Sequence, residues 1–346
     1  MQPNEEFIAV DKAQRPLFVG IDLGGTSIKA GVVDDLGRPL AYLTVPTEIE
    51  RGAEDGARRM GQAVKDLIAK VGLKPSDIAR VGLGSPGTMD IPKGMLIKPV
   101  NLKGWDDFPL RDRVAAHCGL PVAFENDANA AAYGEFWAGA GREYHSLVLF
   151  TLGTGIGCGI IIGDLIVDGE NSHGAECGHV IVDSADDARM CGCGQPGHLE
   201  AYASATAVIK RTNALLDAGR ASSLAARRTA CKPLTPKMVA EEAEKGDALA
   251  MEIVMETARW LGIGTVTLMH TVDPNIVLLG GAMTFGGDDS PLGRKFLARI
   301  REEVQRRAFP VLAARTKIEF ASLGGDAGYI GAAGIARLEH SKLGKP

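Results

Sequence analysis

The sequence predicts an α/β protein built of two related halves, each a mixed β-sheet covered by helices. Three observations predict it. A glycine–threonine turn occurs twice between apolar strands, short apolar runs alternate with helical periodicities, and glycine is abundant. The 44 glycines are nearly twice the roughly 7% average, as many tight ββ and βα turns require. At 346 residues the chain is long enough for roughly two domains, with a core in each.

The first turn is Asp22-Leu23-Gly24-Gly25-Thr26-Ser27-Ile28-Lys29, entered from Leu17-Phe18-Val19-Gly20-Ile21 and left through Ala30-Gly31-Val32-Val33. The second is Thr151-Leu152-Gly153-Thr154-Gly155-Ile156-Gly157, between Leu147-Val148-Leu149-Phe150 and Gly159-Ile160-Ile161-Ile162. Each reads as a hairpin whose tip offers backbone N–H groups and a hydroxyl. Glycine lets such a tip approach a phosphate closely, and consecutive amides make an anion-binding concavity. A glycine hairpin alone is commonplace; two in register, one opening on Asp22 and closing on Lys29, point to a polyphosphate. The G-x-x-x-x-G-K-[ST] loop is absent. Gly153-x-Gly155-x-x-Cys158 lacks the third glycine of a dinucleotide fingerprint, and a strand follows it where a helix should start.

Composition narrows the class. Apolar content of 45% and charge of 23% are ordinary for a globular protein, and a net charge of −5 argues against nucleic acid or a membrane surface as partner. The acidic start, Met1-Gln2-Pro3-Asn4-Glu5-Glu6, does not read as a secretory signal, so a cytoplasmic location is expected. Ser146 to Gly163 has no charged residue over 18 positions, but its five glycines and the second turn fit a strand pair better than a membrane span. Six cysteines in a long chain without an export signal suggest metal binding or burial rather than disulfides.

Further elements follow in order. Leu40 to Val45 reads as a third strand. Ala53 to Val71 carries helical spacing through Ala57, Met60, Ala63, Val64, Leu67, Ile68 and Val71, and leads to a strand at Ile78 to Leu83. A helix over Leu110 to His117 precedes a strand at Pro121 to Phe124, and Ala128 to Ala138 looks helical. In the second half, Glu200 to Leu216 and Pro236 to Val272 read as mainly helical. Asn275 to Leu279 reads as a buried strand ending in Gly280-Gly281-Ala282. Arg294 to Arg307 is an amphipathic helix, Lys317 to Phe320 a late strand, and Tyr329 to Leu338 a terminal helix. The expected division is 1–128 with about 323–346 as the smaller lobe and 129–322 as the larger.

Glu125-Asn126-Asp127 places a carboxylate and an amide just beyond a strand's carboxyl end, where open α/β sheets bind ligands. Asn-Asp before an alanine-rich run is equally a good helix N-cap. Phosphoryl transfer needs a carboxylate to accept the acceptor's proton, and Asp127 is the candidate. His179, Cys191, Cys193 and His198, spaced H-x11-C-x-C-x4-H, supply a tetrahedral Zn²⁺ set with no open position, hence a structural metal. Cys118, Cys158, Cys177 and Cys231 are expected to be buried small side chains.

These segments resemble the ROK (repressor, open reading frame, kinase) family of sugar kinases over about Leu17 to Leu338, most closely its bacterial glucokinases. Asp22 to Lys29 is similar to the family's first phosphate motif and Leu152 to Gly157 to its second. Gly84-Ser85-Pro86-Gly87-Thr88-Met89-Asp90 and Asn101-Leu102-Lys103-Gly104-Trp105 resemble its sugar-binding loops, and Glu125-Asn126-Asp127 its catalytic segment. Glu176-Cys177-Gly178-His179, Cys191-Gly192-Cys193-Gly194 and Leu199-Glu200 resemble its sugar-and-zinc signature. His198 stands where the family usually has a third cysteine.

The resemblance implies a two-lobed actin-like ATPase (ribonuclease H-like) fold with a ligand cleft. It implies that Asn101, Asn126, Asp127, Glu176, His179 and Glu200 hydrogen-bond a hexose, and that Ser85, Pro86 and Gly87 lie in its loop. The implied reaction is ATP-dependent phosphorylation of the glucose 6-hydroxyl. Gly24, Gly25, Thr26, Gly153, Thr154 and Gly155 would hold the phosphates, with Lys29 offsetting charge and Asp22 reaching Mg²⁺ through water. Gly280 and Gly281 would let adenosine lie close. A kinase of N-acetylmannosamine, N-acetylglucosamine or fructose shares this pattern. A sugar-responsive repressor needs a DNA-binding segment, for which the 21 residues before Asp22 are too few. An actin-like filament subunit would leave the sugar and zinc residues without purpose. A homodimer is expected.

Overall fold

The computed structural model describes residues 7–228 and 233–343. Cys231 lies outside the described residues. Twelve strands are described: β1 (Leu17–Leu23), β2 (Ser27–Val33), β3 (Pro39–Pro46), β4 (Ile78–Ser85), β5 (Thr88–Asp90), β6 (Met95–Lys98), β7 (Val122–Asn126), β8 (Ser146–Leu152), β9 (Ile156–Ile162), β10 (Leu165–Ile166), β11 (Ile276–Gly281) and β12 (Lys317–Phe320). The described helices are α1 (Ala53–Lys70), α2 (Leu110–Cys118), α3 (Asp127–Trp137), α4 (Glu200–Ala203), α5 (Ala205–Asp217), α6 (Leu224–Arg227), α7 (Pro236–Glu244), α8 (Ala248–Val272), α9 (Pro291–Arg307), α10 (Pro310–Arg315) and α11 (Ala327–Leu343).

One sheet runs β3-β2-β1-β4-β7, antiparallel through β3, β2 and β1 and parallel from β1 to β4 and β7. A second runs β10-β9-β8-β11-β12, and β5 and β6 form a separate hairpin. The chain divides into two compact units. One comprises Met1–Leu147, Gly159–Ala175 and Ser322–Pro346; the other comprises Val148–Cys158 and Glu176–Ala321. The first unit runs on past residue 128, the division expected from sequence, because α3 packs within it against α11. That contact is at backbone distance. A Cβ built on Gly331 would stand 1.7 Å from the Ala130 carbonyl oxygen, and one on Gly134 2.6 Å from that of Ala327. The alanine-rich sequence of α3 serves this crossing.

On β1 and β4, Gly20 and Gly82 admit α11 in the same way, with the carbonyls of Tyr329 and Ala332 where side chains would begin. The other side of this sheet is covered by α1, whose Ala57, Met60, Val64, Leu67 and Ile68 are all buried. Buried Glu135 fastens the join: its carboxylate accepts the amides of Ala140, Ser322 and Leu323 and the Ser322 hydroxyl.

Two expected helices are each broken by a cap. Ser204 is extended and its Oγ accepts the Ala207 amide, so the run from Glu200 splits into α4 and α5. Gly246 sits at φ 93° and Asp247 accepts the Ala250 amide, separating α7 from α8. The uncharged stretch from Ser146 forms β8 and β9, and no described helix is long and apolar enough to cross a membrane. Cys118, Cys158 and Cys177 are buried, as expected of small apolar side chains.

Candidate active site

In the first unit, strand register gathers the predicted residues at one sheet edge. Asp22 of β1 pairs with Gly84 of β4; Gly84 pairs with Glu125 of β7, and Ser85 with Asn126. The carboxyl ends of three parallel strands therefore present Asp22, Ser85 and Asn126 side by side, the edge at which such sheets bind ligands. The Asp127 Cα lies 3.7 Å from where a Gly84 side chain would begin, which brings the first residue of α3 to the same edge. Asn126 ends β7 and caps α3, its Oδ1 accepting the amides of Ala128 and Asn129 at 2.9 and 3.3 Å. The N-cap role thus falls on Asn126. Asp127, half-buried, also accepts the Ala128 amide at 2.8 Å through Oδ1.

The first glycine turn joins β1 to β2. Asp22 faces Lys29 across that ladder, and the Lys29 ammonium donates to the Gly325 carbonyl at 3.0 Å. Burial pushes the Asp22 carboxyl above its usual range, and Lys29 partly offsets this. Gly25 and Thr26 are exposed at the tip. The Asn101 carbonyl oxygen is 3.4 Å from where a Gly25 side chain would start, so the predicted hexose loop runs beside the predicted phosphate turn. Trp105 anchors that loop. It is fully buried, donates to the Ile49 carbonyl, and fills the space that Gly56 leaves open on α1. Gly87, at φ 95°, lies against Pro99. Ser85 is buried and its hydroxyl donates to the Pro86 carbonyl, so it shapes the loop.

In the second unit, the turn between β8 and β9 is braced by α5. Ala205 donates to the Gly153 carbonyl at 2.9 Å, and the Thr206 hydroxyl donates to that of Thr154 at 2.8 Å. Glu200 Oε2 accepts the Ile156 amide at 3.0 Å, and its Oε1 accepts from the Cys191 thiol at 3.5 Å. Glu200 therefore touches both the turn and the cysteine loop.

His179, Cys191, Cys193 and His198 converge, each offering one ligand atom, all within 4.8 Å of one another. The two Nδ1 atoms are 3.2 Å apart, Cys191 Sγ is 3.8 Å from His179 Nδ1, and Cys193 Sγ is 3.3 Å from His198 Nδ1. Zinc bonds of about 2.0–2.3 Å imply tetrahedral edges of about 3.3–3.8 Å, so the donor set fits the metal. Burial, with Glu200 and Cys193 adding to it, pushes the metal-free Cys191 thiol up to about 11, a bias that a cation would reverse. Burial, with His179 beside it, holds His198 toward the neutral form that ligates metal. His179 Nε2 points the other way and lies 3.9 Å from Glu176 Oε2.

Gly280 and Gly281 are packed closely within the second unit. A side chain at Gly281, φ 87°, would begin 2.4 Å from the Leu152 carbonyl oxygen, and one at Gly280 would meet Ala321 and Leu149. Close packing against β8 requires glycine at 281. Just beyond them opens a cavity of about 310 Å³ whose lining includes Pro236, Ala240, Ala282, Met283 and Phe285.

Thr47, Thr206 and Asn129 were not singled out from the sequence. Each acts through a long-range or cross-element partner, and no spacing signals that. Asn129, one helical turn into α3, was visible only as part of an alanine-rich helix.

The fold is that of an α/β protein with two glycine turns and a carboxylate at a sheet edge, the class of the actin-like ATPases. The chain matches the ROK family over residues 18–339 and belongs to it. A glucokinase of Halalkalibacterium halodurans is 33% identical, with 95% of this chain and 97% of that protein aligned. The crystal structure of a ROK hexokinase from Thermus thermophilus superposes with a TM-score of 0.79 at 33% identity, covering 94% of this chain and 99% of that one. A ROK glucokinase from Streptomyces griseus, solved with glucose and AMPPNP, gives 0.74 at 35% identity over 93% and 99% of the two chains.

Proposed function

We propose that this chain transfers the γ-phosphoryl group of ATP to the 6-hydroxyl of glucose, with Asp127 as general base. One observation carries the reading: β1, β4 and β7 present Asp22, Ser85 and Asn126 in register, with Asp127 next to them and the Asn101 loop beside the glycine turn. An acceptor hydroxyl held at that edge would have a carboxylate in reach and a phosphate-binding turn alongside. Relatives with 33–35% identity are glucokinases, and one binds glucose with an ATP analogue.

Asn101, Asn126, Glu176, His179 and Glu200 are the proposed hexose contacts, with Ser85, Pro86 and Gly87 shaping their loop. The amides at Gly24, Gly25 and Thr26, and those at Gly153, Thr154 and Gly155, would each bind phosphate oxygens, and the cavity beside Met283 suits the adenine. Mg²⁺ bound with ATP would neutralise charge developing on the phosphates, and Asp22 would hold its water shell. His179 Nδ1, Cys191, Cys193 and His198 would hold Zn²⁺, and the imidazole so held would have Nε2 free to meet a sugar hydroxyl. The working assembly is a cytoplasmic homodimer, for which sedimentation of the purified protein is the direct measurement.

Asp127→Asn should bind glucose within about twofold of wild type and lose about 10²–10⁴-fold in kcat, the usual contribution of a general base. A coupled assay over glucose, fructose, N-acetylglucosamine and N-acetylmannosamine reads both rate and specificity. Turnover near wild type in the variant would remove Asp127 from this role, and a higher kcat/KM for another hexose would replace glucose.

A further inference from the structure

The two glycine turns have the same problem. A phosphate-binding tip must show N–H groups and hide carbonyl oxygens, because a carbonyl dipole aimed at an anion repels it. The structure answers with a threonine in each case. At the first turn, Thr47 donates its hydroxyl to the Gly24 carbonyl at 2.6 Å and its amide to the Thr26 carbonyl at 2.9 Å. At the second, Thr206 donates its hydroxyl to the Thr154 carbonyl at 2.8 Å and its amide to the same oxygen at 3.4 Å. Ala205 takes the Gly153 carbonyl, and the turns' own amides close on Ser27 and Gly155. The amides of Gly25, Thr26, Thr154 and Gly155 are left with no acceptor among the described residues.

We infer that Thr47 and Thr206 are positioning residues for phosphate binding, each holding the carbonyl face of one glycine turn inward so that its amide face points to the ligand. The inference rests on the reading of these turns as phosphate sites. The two clamps are not copies. Thr47 follows the end of β3, whereas Thr206 is the second residue of α5. The same donor pair is thus supplied by a loop after a strand in one unit and by a helix N-terminus in the other. Arg59 braces Thr47 in turn, its guanidinium donating to the Pro46 and Thr47 carbonyls while Asp55 holds it at 2.8 Å.

Thr206 is exposed, so Thr206→Val removes one hydroxyl without opening the core. A Cβ built on Gly153 meets nothing within 4 Å, so Gly153→Ala changes the turn's outer surface and little else. The protein and the variants Thr206→Val, Thr206→Ser, Thr47→Ser and Gly153→Ala are titrated calorimetrically with ADP and, separately, with glucose, and their melting temperatures recorded. Thr206→Val should bind ADP roughly three- to tenfold more weakly with glucose affinity and melting temperature unchanged, and both Thr→Ser variants should match wild type. A merely structural threonine would instead lower the melting temperature or leave both affinities alone. Thr206→Val binding ADP as wild type does, while Gly153→Ala weakens it, overturns the clamp and leaves the phosphate reading standing. Wild type and Gly153→Ala binding ADP equally overturns the phosphate reading and the clamp with it.

Discussion

Glu125 is the buried acid of the site, two residues before Asp127. Its Oε1 accepts the Asn126 amide at 2.8 Å and the Asn129 side-chain amide at 3.0 Å. Burial pushes its carboxyl up to about 7, with Asp168 and Glu339 adding to the rise while the two hydrogen bonds oppose it. The native state therefore holds this proton more tightly than the unfolded chain does. Stability from this group is full below about pH 4.5 and declines as the pH rises to about 7. Glu125→Gln keeps the acceptor for both donors and removes the titration. Relative to wild type, the variant should gain stability between pH 5 and 8, by a total on the order of 3 kcal/mol. Denaturant unfolding at several pH values checks this, and parallel wild-type and variant curves would refute it. From sequence, Glu125-Asn126-Asp127 stood out as a unit; that its first member is a buried acid bonded to Asn129 needed the packing of α3.

Among elements, the loop from Glu176 to Glu200 carries the Cys/His cluster of the second unit. Its order is mostly local turn bonding, such as Val182 to the Gly197 carbonyl and Cys191 to the Gln195 carbonyl, with isolated bridges pairing Ile181 with His198 and Met190 with Pro196. The exposed Ile181 and Met190 show how little apolar burial holds it. With the proposed zinc bound, such a segment would gain stability from it. The purified chain should carry about one zinc, read by mass spectrometry of the metal. Cys193→Ala should lose it and lower the melting temperature by roughly 5–10 °C, the size expected for a loss of a few kcal/mol. His198→Cys, which restores a third thiolate, should retain the metal. Wild type purifying without zinc, or melting alike with and without chelator, would overturn the assignment. The four clustered Cys and His residues are legible in sequence because close spacing and glycines bring them together locally. Helix ends were less so. The breaks at Ser204 and Gly246 hide inside good helical periodicity, and β5, β6, β10, α6 and α10 are too short for periodicity to register.

For the molecule as a whole, a ligand that binds only the folded state raises stability by mass action. Glucose at 100 times its Kd should add about 2.7 kcal/mol, a melting shift of a few degrees. Scanning fluorimetry with glucose, fructose, N-acetylmannosamine and N-acetylglucosamine at equal concentration should show the largest shift with glucose. A larger shift with another hexose would reassign the substrate.

The sequence alone determined the two glycine turns, the order of the long strands and helices, the spacing of the Cys/His cluster and the family resemblance. All of these are written within short windows, where backbone preference and side-chain spacing act directly. Tertiary structure alone decided which carbonyls Thr47 and Thr206 cover, why position 281 must be glycine, and how Gly331 and Gly134 let α11 meet α3. These depend on partners far along the chain, and a residue's identity does not say what will be packed against it.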